Sequence, residues 1–193
     1  MPFRLRLTSL CRLFVGCALD GVTKVFDGNT FQVLSAVKFP DDADNIRYDG
    51  RKKQVIVGYA GAKRLRQAEG TGGLGFLDSN GNKVGNVVID AHPESFQLET
   101  EGSRIFVNVP DKKEVEVIDV VTRSVLSRWP VTSAEDNFPM ALDEAHARLF
   151  VECRKPSRLL VLDTGRARKS RLPKLPGRAT TCSTIDAEVG FTS

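Results

Sequence analysis

A six-residue phrase written twice constrains this chain more than anything else in it. "RLFVGC" runs from Arg12 to Cys17, and "RLFVEC" runs from Arg148 to Cys153. Between them, "QVIVGY" (Gln54 to Tyr59) and "RIFVNV" (Arg104 to Val109) fit the same template. Each begins with a polar residue, continues with three apolar residues ending in Val, and then turns to small or polar ones. A second phrase follows each copy and ends in an acid, at Asp27, Asp78, Asp119 and Asp163. That acid lies 15 residues after the template start in the first, third and fourth copies, and 24 after it in the second. A third phrase ends in Asp49, Glu99 or Asp143, each five residues before the next copy, and the copies start 42, 50 and 44 residues apart. Three anchors recurring in fixed order at such a period mark a repeat architecture.

Each unit reads as short strands separated by turn residues. "RLFVGC" is an apolar run of strand length, and "GVTKVFD" alternates up to its acid. "TFQVLSAVKF" alternates again, with Phe31, Val33 and Val37 expected on one face. "NIRYD" is read as the last strand of the unit. The strands are rich in Val, Ile, Phe and Thr, and no stretch keeps a helical period. Four short strands per unit predict an all-β fold, a partial β-propeller of about three four-stranded blades plus part of a fourth. The nine-residue excess of the second unit lies in "AGAKRLRQAEGTGG", a charged hairpin extension. "GTGGLG" opens a strand there, so no helix N-terminus is offered to a phosphate.

Composition narrows the function classes. At 41% apolar and 27% charged residues the chain is ordinary for a globular protein. It has no apolar run long enough to span a membrane and no recognisable signal segment. The formal net charge is +4, but residues 154–178 carry nine Lys/Arg and one acid, so residues 1–153 net −2. The repeat body is therefore not basic, and nucleic acid is not an expected partner. No C-x-x-C pair occurs among Cys11, Cys17, Cys153 and Cys182. Cys17 and Cys153 share the template position of Tyr59 and Val109, which reads as a packing position. Trp129 is likewise expected in the core.

These phrases, together with "DDADNIRYD", "HPESFQLE" and "NFPMALDE", resemble the YVTN-type β-propeller repeat proteins of the quinoprotein amine dehydrogenase-like superfamily. The resemblance covers roughly residues 12–173. It implies a ring of usually seven blades, of which this chain supplies about half as a truncated fragment. It also implies a periplasmic or extracellular location. One departure stands at the front, where Leu7 occupies the place of the acid expected before Arg12. The domain assignment is a partial propeller over residues 1–173 and a non-matching tail over 174–193. The tail is expected to be disordered or frameshifted. Ala179 to Ile185 can be encoded by codons that, read two bases later, spell Asp-Asp-Leu-Phe-Tyr-Asp, a good third phrase. An open fragment leaves blade faces uncovered, so self-association through those faces is a further expectation.

The same resemblance makes the third phrase the innermost strand, lining a central channel. The loops entering it would gather at one mouth and supply Asp42, Asp44 and Asn45, then His92 and Glu94, then Glu135, Asp136 and Asn137. Converging carboxylates suit a hard divalent cation or acid–base work. The same residue types also serve as plain turn formers. No other cofactor is expected, and no Ser-His-Asp order, G-x-S-x-G or H-E-x-x-H motif occurs. The expected function is a non-enzymatic repeat module for a protein or small-ligand partner. The alternative is a fragment of a propeller enzyme of lactonase or quinoprotein type, with a polar or metal centre at the mouth.

Overall fold

The computed structural model describes residues 3–7, 11–18, 20–61 and 71–165. The tail beyond residue 165 and most of the second unit's extension, 62–70, lie outside the described residues. The first sheet is β1 (Phe3–Leu7), β2 (Arg12–Cys17), β3 (Val22–Asp27) and β4 (Val33–Lys38). The second is β5 (Asp41–Asp49), β6 (Gln54–Ala60), β7 (Gly72–Leu77) and β8 (Lys83–Ile89). The third is β9 (Phe96–Leu98), β10 (Arg104–Val109), β11 (Glu114–Asp119) and β12 (Ser124–Pro130), with a short 3-10 turn at Pro110–Lys112. The fourth has β13 (Glu135–Asp143), β14 (Arg148–Lys155) and β15 (Ser157–Asp163). Each sheet is an antiparallel meander with its strands in chain order. β1 touches β5, β5 touches β9, and β9 touches β13, so the first strands of successive sheets follow one another around a common centre. The chain is a partial β-propeller of three four-stranded blades and one three-stranded blade. Among the described residues no helix is long and apolar enough to cross a membrane.

The phase of the repeat differs from that of the sequence units. "NIRYD" ends the first strand of the next sheet and does not close its own unit. The template is thus the second strand of every blade. Its apolar residues alternate between two interfaces. Ile56 of β6 faces the third blade, while Val55 and Val57 pack against Phe14 and Val25 of the first. Three apolar layers result, one between each pair of neighbouring blades. The cysteines behave as packing residues, with Cys153 buried and Cys17 half-buried, and Trp129 packs at the edge of the last layer. The expected face of Phe31, Val33 and Val37 is not formed. Val37 is buried, but Phe31 sits in a turn and is 66% exposed. A register shift at Val25/Phe26 places Val33 opposite Phe26, on the face away from Val37, where it is 56% exposed.

The anchoring acids owe their recurrence to the turns. Asp27 Oδ1 accepts from the N–H groups of Asn29 and Thr30 at 2.9 and 3.0 Å. Asp49 does the same for Arg51 and Lys52 at 3.0 and 3.1 Å, and Asp119 for Val121 and Thr122 at 2.8 and 2.7 Å. A short carboxylate thus satisfies the backbone donors that a tight hairpin leaves open. The residue four places on then takes left-handed backbone, with φ of 56° at Phe31, 52° at Lys53, 55° at Arg123 and 52° at Ala147.

Neighbouring blades are also tied through their turns. The Glu144 carboxylate accepts from the N–H groups of Thr100, Glu101 and Gly102 and from Thr100 Oγ1. Burial alone would raise its pKa, but these donors hold it down, from 4.5 to about 2. A depressed carboxyl contributes stability that is fully present above the unfolded value and is lost as pH falls through the folded one. Glu144→Gln is therefore expected to lose about 1 kcal/mol at pH 7, a modest figure because the turn is largely solvated. Urea titrations at pH 7 and pH 2 check it, and the difference from wild type should shrink at the lower pH.

Candidate functional site

The loops that lead into the inner strands carry irregular backbone. In β5 the register slips between Asp41 and Asn45, so Asp42, Ala43 and Asp44 bulge out against β6. In β13 it slips between Asn137 and Met140. Asp42 and Asp136, seven residues before their anchors Asp49 and Asp143, both take positive φ, 41° and 56°. His92 stands seven residues before Glu99. One repeat position thus supplies Asp42, His92 and Asp136 to three successive blades. Bulges of this kind re-aim side chains at the end of a strand.

His92 lies between two carboxylates. Its Nε2 is 3.8 Å from Asp42 Oδ2 on the second blade, and its Nδ1 is 3.8 Å from Glu94 Oε1 on its own loop. Asp44 accepts from the Asn45 side-chain amide at 3.0 Å. Asn45 is buried, and its Oδ1 accepts no hydrogen bond among the described residues. Burial raises the pKa of Glu94. His92 opposes that shift, Asp44 and Asp42 add to it, and Arg154 of the fourth blade opposes it. The Arg154 guanidinium lies over the Phe138 ring, 3.9 Å from its centroid. Four of the eight expected residues, Asp42, Asp44, His92 and Glu94, therefore share one electrostatic environment.

The third loop is engaged differently. Glu135 pairs with Lys113 at 2.5 Å and Asp136 with Lys155 at 2.8 Å. Both lysines and Glu135 line a cleft of about 520 Å³ between the third and fourth blades. Asn137 is fully buried, and its amide donates to Asn108 Oδ1 at 2.9 Å and to the Glu114 carbonyl at 3.0 Å. Asn108 in turn donates to the Phe138 carbonyl at 2.8 Å, so the pair stitches β10 to β13. Among the described residues no three His, Cys, Asp or Glu side chains are grouped to hold a metal ion.

Sequence reasoning did not single out Arg154, Asn108, Lys113 or Lys155. Only Asn108 carried a signal, being an amide at the template position where Gly16 and Gly58 stand.

No protein-family model matches the chain, and no curated protein does. In structure, 848 solved chains match, so the likeness reports a widely used architecture. Among them is Kuenenia stuttgartiensis hydrazine synthase, with a TM-score of 0.70 and 13% identity over 89% of this chain and 49% of that one. This chain spans about half the length of that solved chain. At such identity the likeness shows a propeller-like fold alone.

Proposed function

We propose that the chain is a non-enzymatic β-propeller repeat module of the YVTN kind. It holds a protein or small ligand at the channel mouth lined by Asp42, Asp44, His92 and Glu94. The supporting observation is the convergence of loops from two adjacent blades on the raised Glu94 carboxyl. Three half-buried carboxylates outweigh His92 and Arg154 there, so the complementary ligand is cationic, either a basic side chain of a partner or a small amine. Asn45, Glu135, Asp136 and Asn137 flank and shape the loops. Binding of a cation would favour the ionised form of Glu94. Calorimetric titration with spermidine and with a lysine-rich peptide tests this. Binding, weakened about tenfold or more by Asp44→Asn, is expected. Heatless titrations with both probes sink the reading.

The second reading, part of a lactonase- or quinoprotein-like propeller enzyme, draws on one observation. Glu94 is held toward its protonated form beside an imidazole, an arrangement suited to proton transfer. Lactone hydrolysis that disappears in His92→Asn would favour it over the first.

A further inference from the structure

The cleft between the third and fourth blades is rich in hydrogen-bond donors and poor in acceptors. On the third blade the 3-10 turn at Pro110–Lys112 closes the β10–β11 hairpin and sets Lys112 and Lys113 at its tip, Lys113 in left-handed backbone with a φ of 52°. On the fourth blade the end of β14 supplies Lys155. Val131 to Ala134 run between β12 and β13. The Val131 N–H donates to the Lys113 carbonyl at 2.7 Å, which ties this loop to the hairpin. Each ammonium is held by one carboxylate, Lys112 by Asp90 at 3.0 Å, Lys113 by Glu135 and Lys155 by Asp136. An ammonium has three N–H donors, so each lysine keeps donors for a further acceptor. The N–H groups of Thr132, Ser133 and Ala134 and the hydroxyls of Thr132 and Ser133 meet no acceptor among the described residues. Of the described side chains that line the cleft, Glu135 alone is acidic, against the three lysines.

We propose that this cleft is a second binding site, for a small oxyanion that carries carboxylate or phosphate groups. The lysines supply the charge. The loop N–H and hydroxyl groups supply oriented donors, as successive backbone amides do in other anion sites. At about 520 Å³ the cleft has the size of a small-molecule site. Its floor is firm, because Val131 and Ala134 are buried in the layer between the two blades. Asp90, Glu135 and Asp136 keep three like charges in place while the cleft is empty. A ligand oxyanion would share the ammonium groups with them, since each carboxylate takes up only part of a lysine's donors. Glu135 also lines the cleft, so its charge opposes an anion there. This inference does not depend on what the channel mouth holds, which is a ligand of the opposite charge.

Calorimetric titration of the full chain with pyrophosphate and with citrate tests it, at one fixed ionic strength because salt screens such contacts. Lys113→Gln, Lys155→Gln and Glu135→Gln are compared with wild type, and circular dichroism verifies that each variant is folded. The expected result is saturable binding of at least one probe with a Kd below about 1 mM. Either lysine variant should weaken it about tenfold, and Glu135→Gln should tighten it about threefold by removing the opposing charge. A merely structural role for Glu135 predicts the reverse, a loss. Pyrophosphate alone would make the ligand a phosphate compound, citrate alone a polycarboxylate, and both an oxyanion of either kind. Silence from both probes overturns the proposal. So does binding that the lysine variants leave unchanged, or that Glu135→Gln fails to tighten.

Discussion

Replacing Phe106 by alanine is expected to remove about 3–5 kcal/mol of stability and to loosen the fourth blade first. Phe106 is 0% exposed and belongs to the layer between the third and fourth blades, with Val151, Leu149 and Met140 on the facing side. Its ring centroid lies 5.5 Å from that of Trp129, and the Arg104 guanidinium covers it at 5.3 Å. A cavity at this site cannot collapse without moving two sheets that are held in register by β9–β13 contacts and by the Gln97 amide on the Met140 carbonyl. Trp129 is the only tryptophan, so its fluorescence reports this interface alone. In urea the variant should show a Trp129 transition that precedes loss of the β-sheet circular dichroism. In repeat proteins stability is close to a sum over units and their interfaces, so weakening one interface separates the transitions. Coincident transitions at a midpoint near that of wild type would contradict this account of the layer.

Gly16→Val is expected to cost about 3 kcal/mol and to weaken any ligand held at the mouth. A Cβ on Gly16 would lie 2.3 Å from the Ala43 carbonyl oxygen and 2.9 Å from Ile46 Cδ1. The carbonyl is backbone, and it belongs to the bulge that presents Asp42 and Asp44. The clash can be relieved only by moving that bulge or parting the first two blades. Gly58, at the same repeat position one blade on, is different, because its Cβ would meet Asn45 Cβ and Phe96 Cε1 at 3.4 Å, a contact that takes little adjustment. Gly58→Ala should therefore change stability by no more than about 0.5 kcal/mol. Thermal melts of the two variants check the contrast. Equal effects would mean that the close approach of β2 to β5 is not what fixes Gly16.

The ordering of strands was legible because the anchoring acids do local work. Asp27, Asp49 and Asp119 bond backbone donors two and three residues ahead, so their spacing records turn geometry directly. The fate of outer-strand residues was less legible. Val33 alternates correctly in sequence, yet a bulge that no local residue announces puts it on the face opposite to that of Val37. For the expected site residues, sequence spacing picked out three loops but not their partners. His92 meets Asp42 across 50 residues of chain, whereas Glu135 and Asp136 are drawn to Lys113 and Lys155. Which acid finds which cation depends on the relative placement of neighbouring blades, and that is long-range information. The Asn108–Asn137 stitch has the same origin, a side chain on one blade reaching the inner strand of the next.

The central claim is that loops from separate blades converge on one carboxylate cluster, and the titration of Glu94 tests it most directly. Carbon-13 NMR of the side-chain carboxyl would be followed with pH in wild type and in Asp44→Asn and Asp42→Asn. The account predicts a Glu94 pKa above the ordinary glutamate value, because burial and then Asp44 and Asp42 on the neighbouring blade disfavour its ionised form. Each substitution should move it back down. An ordinary pKa, indifferent to both substitutions, would mean that the second and third blades do not bring these loops together.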